Sequence, residues 1–335
     1  MFKSAHFNAM INTHLHRVYS CMRVMMDVSM RMASTMNLTT IKVVETLGSG
    51  PHASVDRCVG LPDVRHLAFK KLARNMPDLT AERRAAKWAA REKYIIDLLR
   101  IGNHPAIAPL CRVFVNAEWL NLVFDISDRG IHYCIFSKPG EVRLGEAYAH
   151  RTLQQILGAI QHMHSLNIPH YNICLENVIV THEETWEVKL LNLGLNGSAH
   201  FKPPEARANE GKKSVGYHMK ADIWSCGAIL FLMLFGAYYH HDHKHAQGDW
   251  RRQVKPPKAA TDVPDECAAL LDAMLIPRPE ERVGIEDAVQ NAWLRNDAIS
   301  AHIKGTTLLP NEAGPCAYTE AHIKALIAFA QMPPR

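Results

Sequence analysis

The order in which strand-like and helix-like patterns follow one another constrains this chain most. TIKVVETLGSG, residues 40–50, alternates apolar and polar residues and ends in glycines, the pattern of a strand entering a turn. SVDRCVG and HLAFKKL are further short strands, and CRVFVNAEWLNLVFDI reads as two strands about a polar turn. Between them LTAERRAAKWAAREKYIIDLLRIG is helical, with Thr80 placed to cap its start and Gly102 near its stop. Near Ser127–Gly130 the texture changes. GEAYAHRTLQQILGAIQHMHSLN carries apolar residues at helical spacing, NVIV and EVKLLNL are short strands, and from Asp222 onward the pattern is helix and loop. Strands with one helix come first, and a mostly helical half follows.

The chain has 335 residues, which suggests about two domains or one bilobal unit with tails. Hydrophobic residues make up 47%, enough for a large core. The net charge of +5 is too mild to argue for nucleic acid or a membrane surface as a partner. No uninterrupted apolar run reaches the ~18 residues of a spanning helix. CGAILFLMLFGAYY is shorter and reads as a buried helix, so no membrane span is expected. The eight cysteines are scattered with no C-x-x-C pair, so neither a zinc ribbon nor a disulfide framework is expected, and a reducing compartment follows. Residues 1–40 hold Lys3, Arg17, Arg23 and Arg31 against the single acid Asp27, a composition shared by transit peptides and by unstructured extensions. The expected location is cytoplasmic, or mitochondrial if residues 1–40 are a transit peptide.

Two groups of motifs carry chemistry. LGSGPHASV, residues 47–55, is a glycine-rich hairpin whose backbone N–H groups can approach phosphates because glycine has no Cβ. LAFK follows, ending at Lys70, and Glu92 lies on the helix after it. Taken singly, these are an ordinary turn, a surface lysine and a solvated helix face. In the second half stand HSLNIPHYNICLENVIV, VKLLNLGL, PPE (203–205), DIWSCGAILF and RPEERVGIEDAVQNAWL, in that order.

Together these segments resemble the eukaryotic protein kinases, and among them the calmodulin-dependent and AMP-activated Ser/Thr group. The resemblance covers roughly residues 41–295. It implies an α+β bilobal protein-kinase fold, with a small β-rich N-lobe carrying one long helix (41–127) and a larger, mostly helical C-lobe (128–297). An N-terminal extension (1–40) and a tail (298–335) flank it. By the same resemblance Lys70 and Glu92 form the ion pair that holds nucleotide phosphates. Gly48, Gly50, Val55, Ala68, Asp125, Ser127 and Ile179 match nucleotide-binding positions, with Asp125 to Ser127 as the hinge and Phe124 before it as gatekeeper. Asp222 is expected to anchor the catalytic loop, Glu205 to pair with Arg282, and Ile96, Leu193 and His170 to match the family's internal stack.

The sequence departs from the family where phosphoryl transfer is done. Asn172 stands where the catalytic Asp should accept the substrate's proton, and loss of a general base alone costs about 10²–10⁴-fold. Asn192 stands at the metal-binding Asp, and the second metal position, Asn177, is also neutral. Mg²⁺ prefers one or two carboxylates, and two amides offer none. Cys174 replaces the loop lysine and Tyr171 the loop arginine, and Ala53 stands at the third glycine. From Asn192 to Glu205 the activation segment is only 14 residues, with Ser198 and no Thr or Tyr. Two readings follow. One is a pseudokinase that acts by binding protein partners, as scaffold or allosteric subunit, with weak ATP binding and little hold on Mg²⁺. The other is a weakly active Ser/Thr kinase using ATP, with Glu176 the nearest carboxylate to substitute.

Three smaller features remain. His240, His241, His243 and His245 flank Asp242 and could ligate zinc or nickel, although an exposed loop is the plainer reading. ERRAAKWAAREK, 82–93, carries a basic stripe expected to be a solvated helix face. YTEAHIKALIAFAQM, 318–332, has Ile323, Leu326, Ile327 and Phe329 at amphipathic spacing, expected to pack in cis or on a partner.

Overall fold

The computed structural model describes residues 40–61, 65–127, 144–182, 185–191, 193–194, 200–207, 214–239, 251, 263–303 and 331. The expectations for the N-terminal extension, the histidine cluster, Ser198, Asn192 and the tail pattern fall outside these residues, apart from residues 40 and 331. The chain divides into two compact units. Among the described residues, one unit holds 40–102, 109–127 and 331, and the other holds 103–108 and those within 144–303.

The first unit is a five-stranded antiparallel sheet: β1 (Thr40–Gly50), β2 (Ala53–Leu61), β3 (Arg65–Ala73), β4 (Leu110–Val115) and β5 (Trp119–Ser127). Their order in the sheet is β1-β2-β3-β5-β4. Gly50 pairs with Ala53, so the glycine hairpin closes over Pro51 and His52. Val55 lies opposite Lys70, Lys70 opposite Leu122, and Ala68 opposite Phe124. Because side chains alternate along a strand, one face carries Val55, Ala68, Lys70, Leu122 and Phe124. The other face carries the buried cluster Cys58, Leu67, Phe69 and Val123, with Phe114 packed against it.

Helix α1 (Ala81–Ile101) joins β3 to β4. It starts where expected, with Thr80 Oγ1 accepting from the Arg83 amide, and stops at Gly102, whose φ is 65°. Positive φ is open to glycine at little cost, which ends the helix cleanly. Trp88, Arg91, Ile95, Leu98 and Ile101 form its buried stripe.

The second unit is mainly helical. It contains α2 (Glu146–Ser165), the strand pair β6 (Val178–His182) and β7 (Glu187–Leu190), a four-residue helix α3 (Pro204–Arg207), α4 (Val215–Phe235), α5 (Asp265–Met274) and α6 (Ile285–Ala288). Residues 103–108, which the sequence reading gives to the first lobe, belong here because they pair with β7. The Leu190 amide donates to Ala106 O at 2.9 Å and the Ala108 amide to Leu190 O at 3.1 Å.

Helix α4 is buried almost all round, from Asp222 through Phe235, as CGAILFLMLFGAYY predicts. At 21 residues, with a mean hydropathy of 1.3 in its most apolar window, it meets the length and composition of a membrane span. In this unit those side chains are spent instead on packing with α2 and α5. Gly227 marks the closest approach, since a Cβ there would stand 2.9 Å from Met274 Cβ. In the run RPEERVGIEDAVQNAWL, 278–294, the helix is short. Only Ile285–Ala288 is α-helical. Beyond it the Gln290 and Asn291 amides bond three residues back, and Asn291 Oδ1 takes the Trp293 amide at 2.9 Å, so local bonds compete with the helix.

Candidate functional site

In the helical unit the catalytic-loop segment is built around one buried carboxylate. Asp222 lies near the middle of α4 and is 2% exposed. Its Oδ2 accepts from the His170 amide at 2.7 Å and lies 2.9 Å from His164 Nε2, while Oδ1 accepts from the Tyr171 amide at 2.9 Å. These bonds hold Tyr171 at φ 64°, a conformation uncommon for a residue with a side chain. The anchoring expected of Asp222 is therefore present, and His164 is a partner that the sequence reading missed. Its signal is a histidine on the apolar side of α2, which on its own reads as core.

Asn172 is buried on this anchored loop. Its amide donates toward His170 Nδ1 at 3.3 Å, and its side-chain Oδ1 takes the Cys174 thiol at 3.8 Å. Asn177 Nδ2 donates to Asn172 O at 2.8 Å, and the Asn177 amide to Cys174 O at 3.0 Å. The loop thus braces itself with neutral groups. An amide at residue 172 can orient a hydroxyl but cannot take its proton. Cys174 is a buried thiol rather than an exposed nucleophile. Tyr171 is 40% exposed, and its ring lies 4.8 Å from that of His218. Ile179, on β6, and Leu193 are buried.

The pair Glu205–Arg282 forms as expected. Arg282 Nη1 and Nη2 reach Glu205 Oε1 and Oε2 at 2.8 and 3.1 Å. The remaining guanidinium donors go to the carbonyls of Ile276, Lys220 and Pro277. All five N–H groups of a buried guanidinium are satisfied. Trp224 lies beneath, with 5.0 Å from the guanidinium carbon to its ring centre.

In the sheet unit Val55, Ala68, Lys70 and Phe124 share one face, and Gly48 pairs with Val55 at the base of the hairpin. The Asp125 amide is engaged by Pro109 O at 3.3 Å, and Ser127 closes β5.

Two expectations are corrected here. Lys70 and Glu92 form no ion pair; Lys70 Nζ instead donates to Tyr94 Oη at 3.3 Å and lies 4.5 Å from the centre of its ring. Nor is the basic stripe over 82–93 simply a solvated face. Arg83 and Lys93 are exposed, but Arg91 is 6% exposed. Its Nη1 donates to Ala73 O at 2.7 Å and its Nη2 to His52 O at 3.1 Å. Burial pushes its pKa down to about 10. The sequence signal for Arg91 is a charge standing on the apolar stripe of Trp88, Ile95 and Leu98. Tyr94 gives no such signal. The hairpin tip is held further by His52, whose Nε2 lies 2.8 Å from Asp78 Oδ1.

Among the described residues no group of three or more His, Cys, Asp or Glu side chains could hold a metal ion.

Comparison with known proteins places this geometry. The model of the protein kinase domain matches residues 41–294. The serine/threonine-protein kinase SRK2C of Arabidopsis thaliana is 30% identical over 246 residues, 69% of this chain and 70% of that one. The serine/threonine-protein kinase cds1 of Schizosaccharomyces pombe is 25% identical over 282 residues, 78% of this chain and 60% of the relative. CBL-interacting serine/threonine-protein kinase 20 of Arabidopsis thaliana is 26% identical over 217 residues, but the match spans only 47% of it. Among solved structures, Rad53 1–466 in complex with AMP-PNP shares the fold, with a TM-score of 0.58 and 21% identity over 76% of this chain and 65% of that one.

Proposed function

The chain belongs to the protein kinase family, with Ser/Thr kinases among its relatives, and from that premise we propose that it works as a pseudokinase. It keeps the frame of the fold and acts by binding a protein partner, in the cytoplasm. The observation that carries this reading is Asn172, a buried amide held on an anchored loop at the position where phosphoryl transfer needs a carboxylate. The neighbouring departures agree with it. Cys174 spends its thiol on Asn172, and Tyr171 carries no charge for a regulatory phosphate. The shortened segment up to Glu205 leaves little platform for a peptide substrate.

Nucleotide binding is part of the proposal, and metal-assisted chemistry is not. Lys70 and the glycine hairpin supply a cation and backbone donors suited to phosphates. Asn177 already uses its Nδ2 on Asn172 O, and with Asn192 it would offer Mg²⁺ only neutral oxygens. That donor set does not fit the metal, so no step is routed through one. Relatives named as CBL-interacting kinases support a protein partner as the counterpart of this chain.

The test restores both carboxylates, Asn172→Asp with Asn192→Asp, and measures phosphate transfer to a peptide panel. Restoration is expected to gain less than about 10-fold over background, because the substrate platform is lost as well. A gain of several orders of magnitude would mean that only the carboxylates are missing.

A further inference from the structure

Glu92 and Tyr94 stand two residues apart on α1. At about 100° per residue they point some 200° apart, so one rotation of the helix cannot turn both toward the same group. Tyr94 is the one that meets Lys70, through its hydroxyl at 3.3 Å and its ring at 4.5 Å. Arg91 fixes that rotation. It lies three residues before Tyr94 on neighbouring helix surface, and it ties α1 to Ala73 O at the end of β3 and to His52 O at the tip of the glycine hairpin. Trp88 stacks against its guanidinium at 4.8 Å. Among the described residues neither cation meets a carboxylate: Lys70 has a phenol, and Arg91 has two peptide carbonyls.

We propose that Arg91 and Tyr94 together hold Lys70 as an uncompensated ammonium, and that the ligand this arrangement selects is a metal-free nucleoside polyphosphate. The inference rests on the nucleotide-binding part of the function proposed above and names the form of nucleotide taken. An ammonium paired with a carboxylate presents no net charge to an incoming anion, whereas one held by a phenol presents its whole charge. A divalent cation on the phosphates removes much of the anion's charge and so weakens attraction to such a site. Tyr94 is a positioning residue: its hydroxyl and ring fix where the Lys70 ammonium points, while Arg91 keeps Glu92 turned away. The tie from Arg91 to the hairpin tip also holds the backbone donors in place before the anion arrives.

The test uses the full chain and ATP, titrated calorimetrically in EDTA and in Mg²⁺. Wild type is expected to bind more tightly in EDTA. Tyr94→Leu is expected to weaken that binding about 10-fold, or 1.4 kcal/mol. Glu92→Gln should leave the binding as in wild type, because Arg91 keeps Glu92 turned from Lys70; a clear change would overturn the assigned rotation. Tyr94→Phe keeps the volume and the ring, guards against misfolding, and should lose less than Tyr94→Leu, because the ring contact with the ammonium stays while its bond to the hydroxyl goes. A second readout needs no nucleotide. In protein with ¹³C-dimethylated lysines, the Lys70 resonance, assigned through Lys70→Arg, should be shifted upfield by the Tyr94 ring, should keep the shift in Tyr94→Phe and should lose it in Tyr94→Leu. ATP binding that tightens 10-fold in Mg²⁺, or a Lys70 resonance indifferent to Tyr94, would overturn this inference and leave the nucleotide reading standing. A shifted resonance with no ATP binding in either buffer would overturn the ligand assignment and the nucleotide reading together.

Discussion

Replacing Asp222 by Asn keeps the shape of the most connected side chain in the helical unit and removes its charge. The carboxylate faces His164 Nε2 and the His170 amide through one oxygen and the Tyr171 amide through the other. An asparagine has one carbonyl oxygen and one NH₂ group. If the oxygen keeps His170, the NH₂ opposes the Tyr171 amide; if it keeps Tyr171, the NH₂ opposes His170. Either way one backbone donor loses its acceptor, at about 1.5–3 kcal/mol for a bond to a charged group. The surviving bonds lose their charge assistance, roughly 1 kcal/mol more. Letting Tyr171 leave φ 64° returns about 1 kcal/mol of strain. The net expectation is destabilisation of the helical unit by about 1.5–3 kcal/mol. Denaturant unfolding followed by tryptophan fluorescence reads it, helped by Trp224, which lies two residues along α4 and is 1% exposed. A change below about 0.5 kcal/mol, the scatter of ordinary surface substitutions, would refute the claim that this carboxylate holds the loop.

Two further outcomes follow from particular contacts. Gly227→Ala gains up to about 1 kcal/mol of helix propensity, but places a methyl group 2.9 Å from Met274 Cβ, and overpacking of about 1–3 kcal/mol should make it net destabilising in the same unfolding assay. His104, stacked on His162 with ring centres 5.2 Å apart, has its pKa lowered to about 4, by burial first and then by the neighbouring imidazole. It is neutral in the folded chain where the unfolded chain would take a proton. Stability should therefore fall as pH drops from about 6.5 toward about 4, and should be level in this respect above that window. His104→Asn should flatten the part of the acid slope that lies within it.

Much of the frame was legible from the chain because it rests on local pattern. Thr80 and Gly102 bound α1 as their capping chemistry requires, the alternating runs became β1 to β5, and α4 is buried along its apolar run CGAILFLMLF. Asp222 and the Glu205–Arg282 pair were legible through motif order alone. What spacing does not encode is the rotation of a helix about its axis. Glu92 lies at the expected distance along the chain from Lys70, yet Arg91, a cation on the buried stripe, sets a rotation that turns Tyr94 inward. A basic run reads as a wet surface until one of its members finds buried carbonyls. Residues 103–108 were misassigned for a related reason. Their allegiance comes from two peptide hydrogen bonds to Leu190, which no composition records.

The central claim, that this kinase frame has lost its chemistry, is tested most directly by phosphotransfer from ATP by the purified chain, supplied with Mg²⁺ or Mn²⁺, beside a Lys70→Ala control. The account predicts that wild type and control transfer phosphate at the same background rate to peptide, protein and self. Turnover well above background in the wild type, abolished by Lys70→Ala, would contradict it and make Asn172 a working member of an active site.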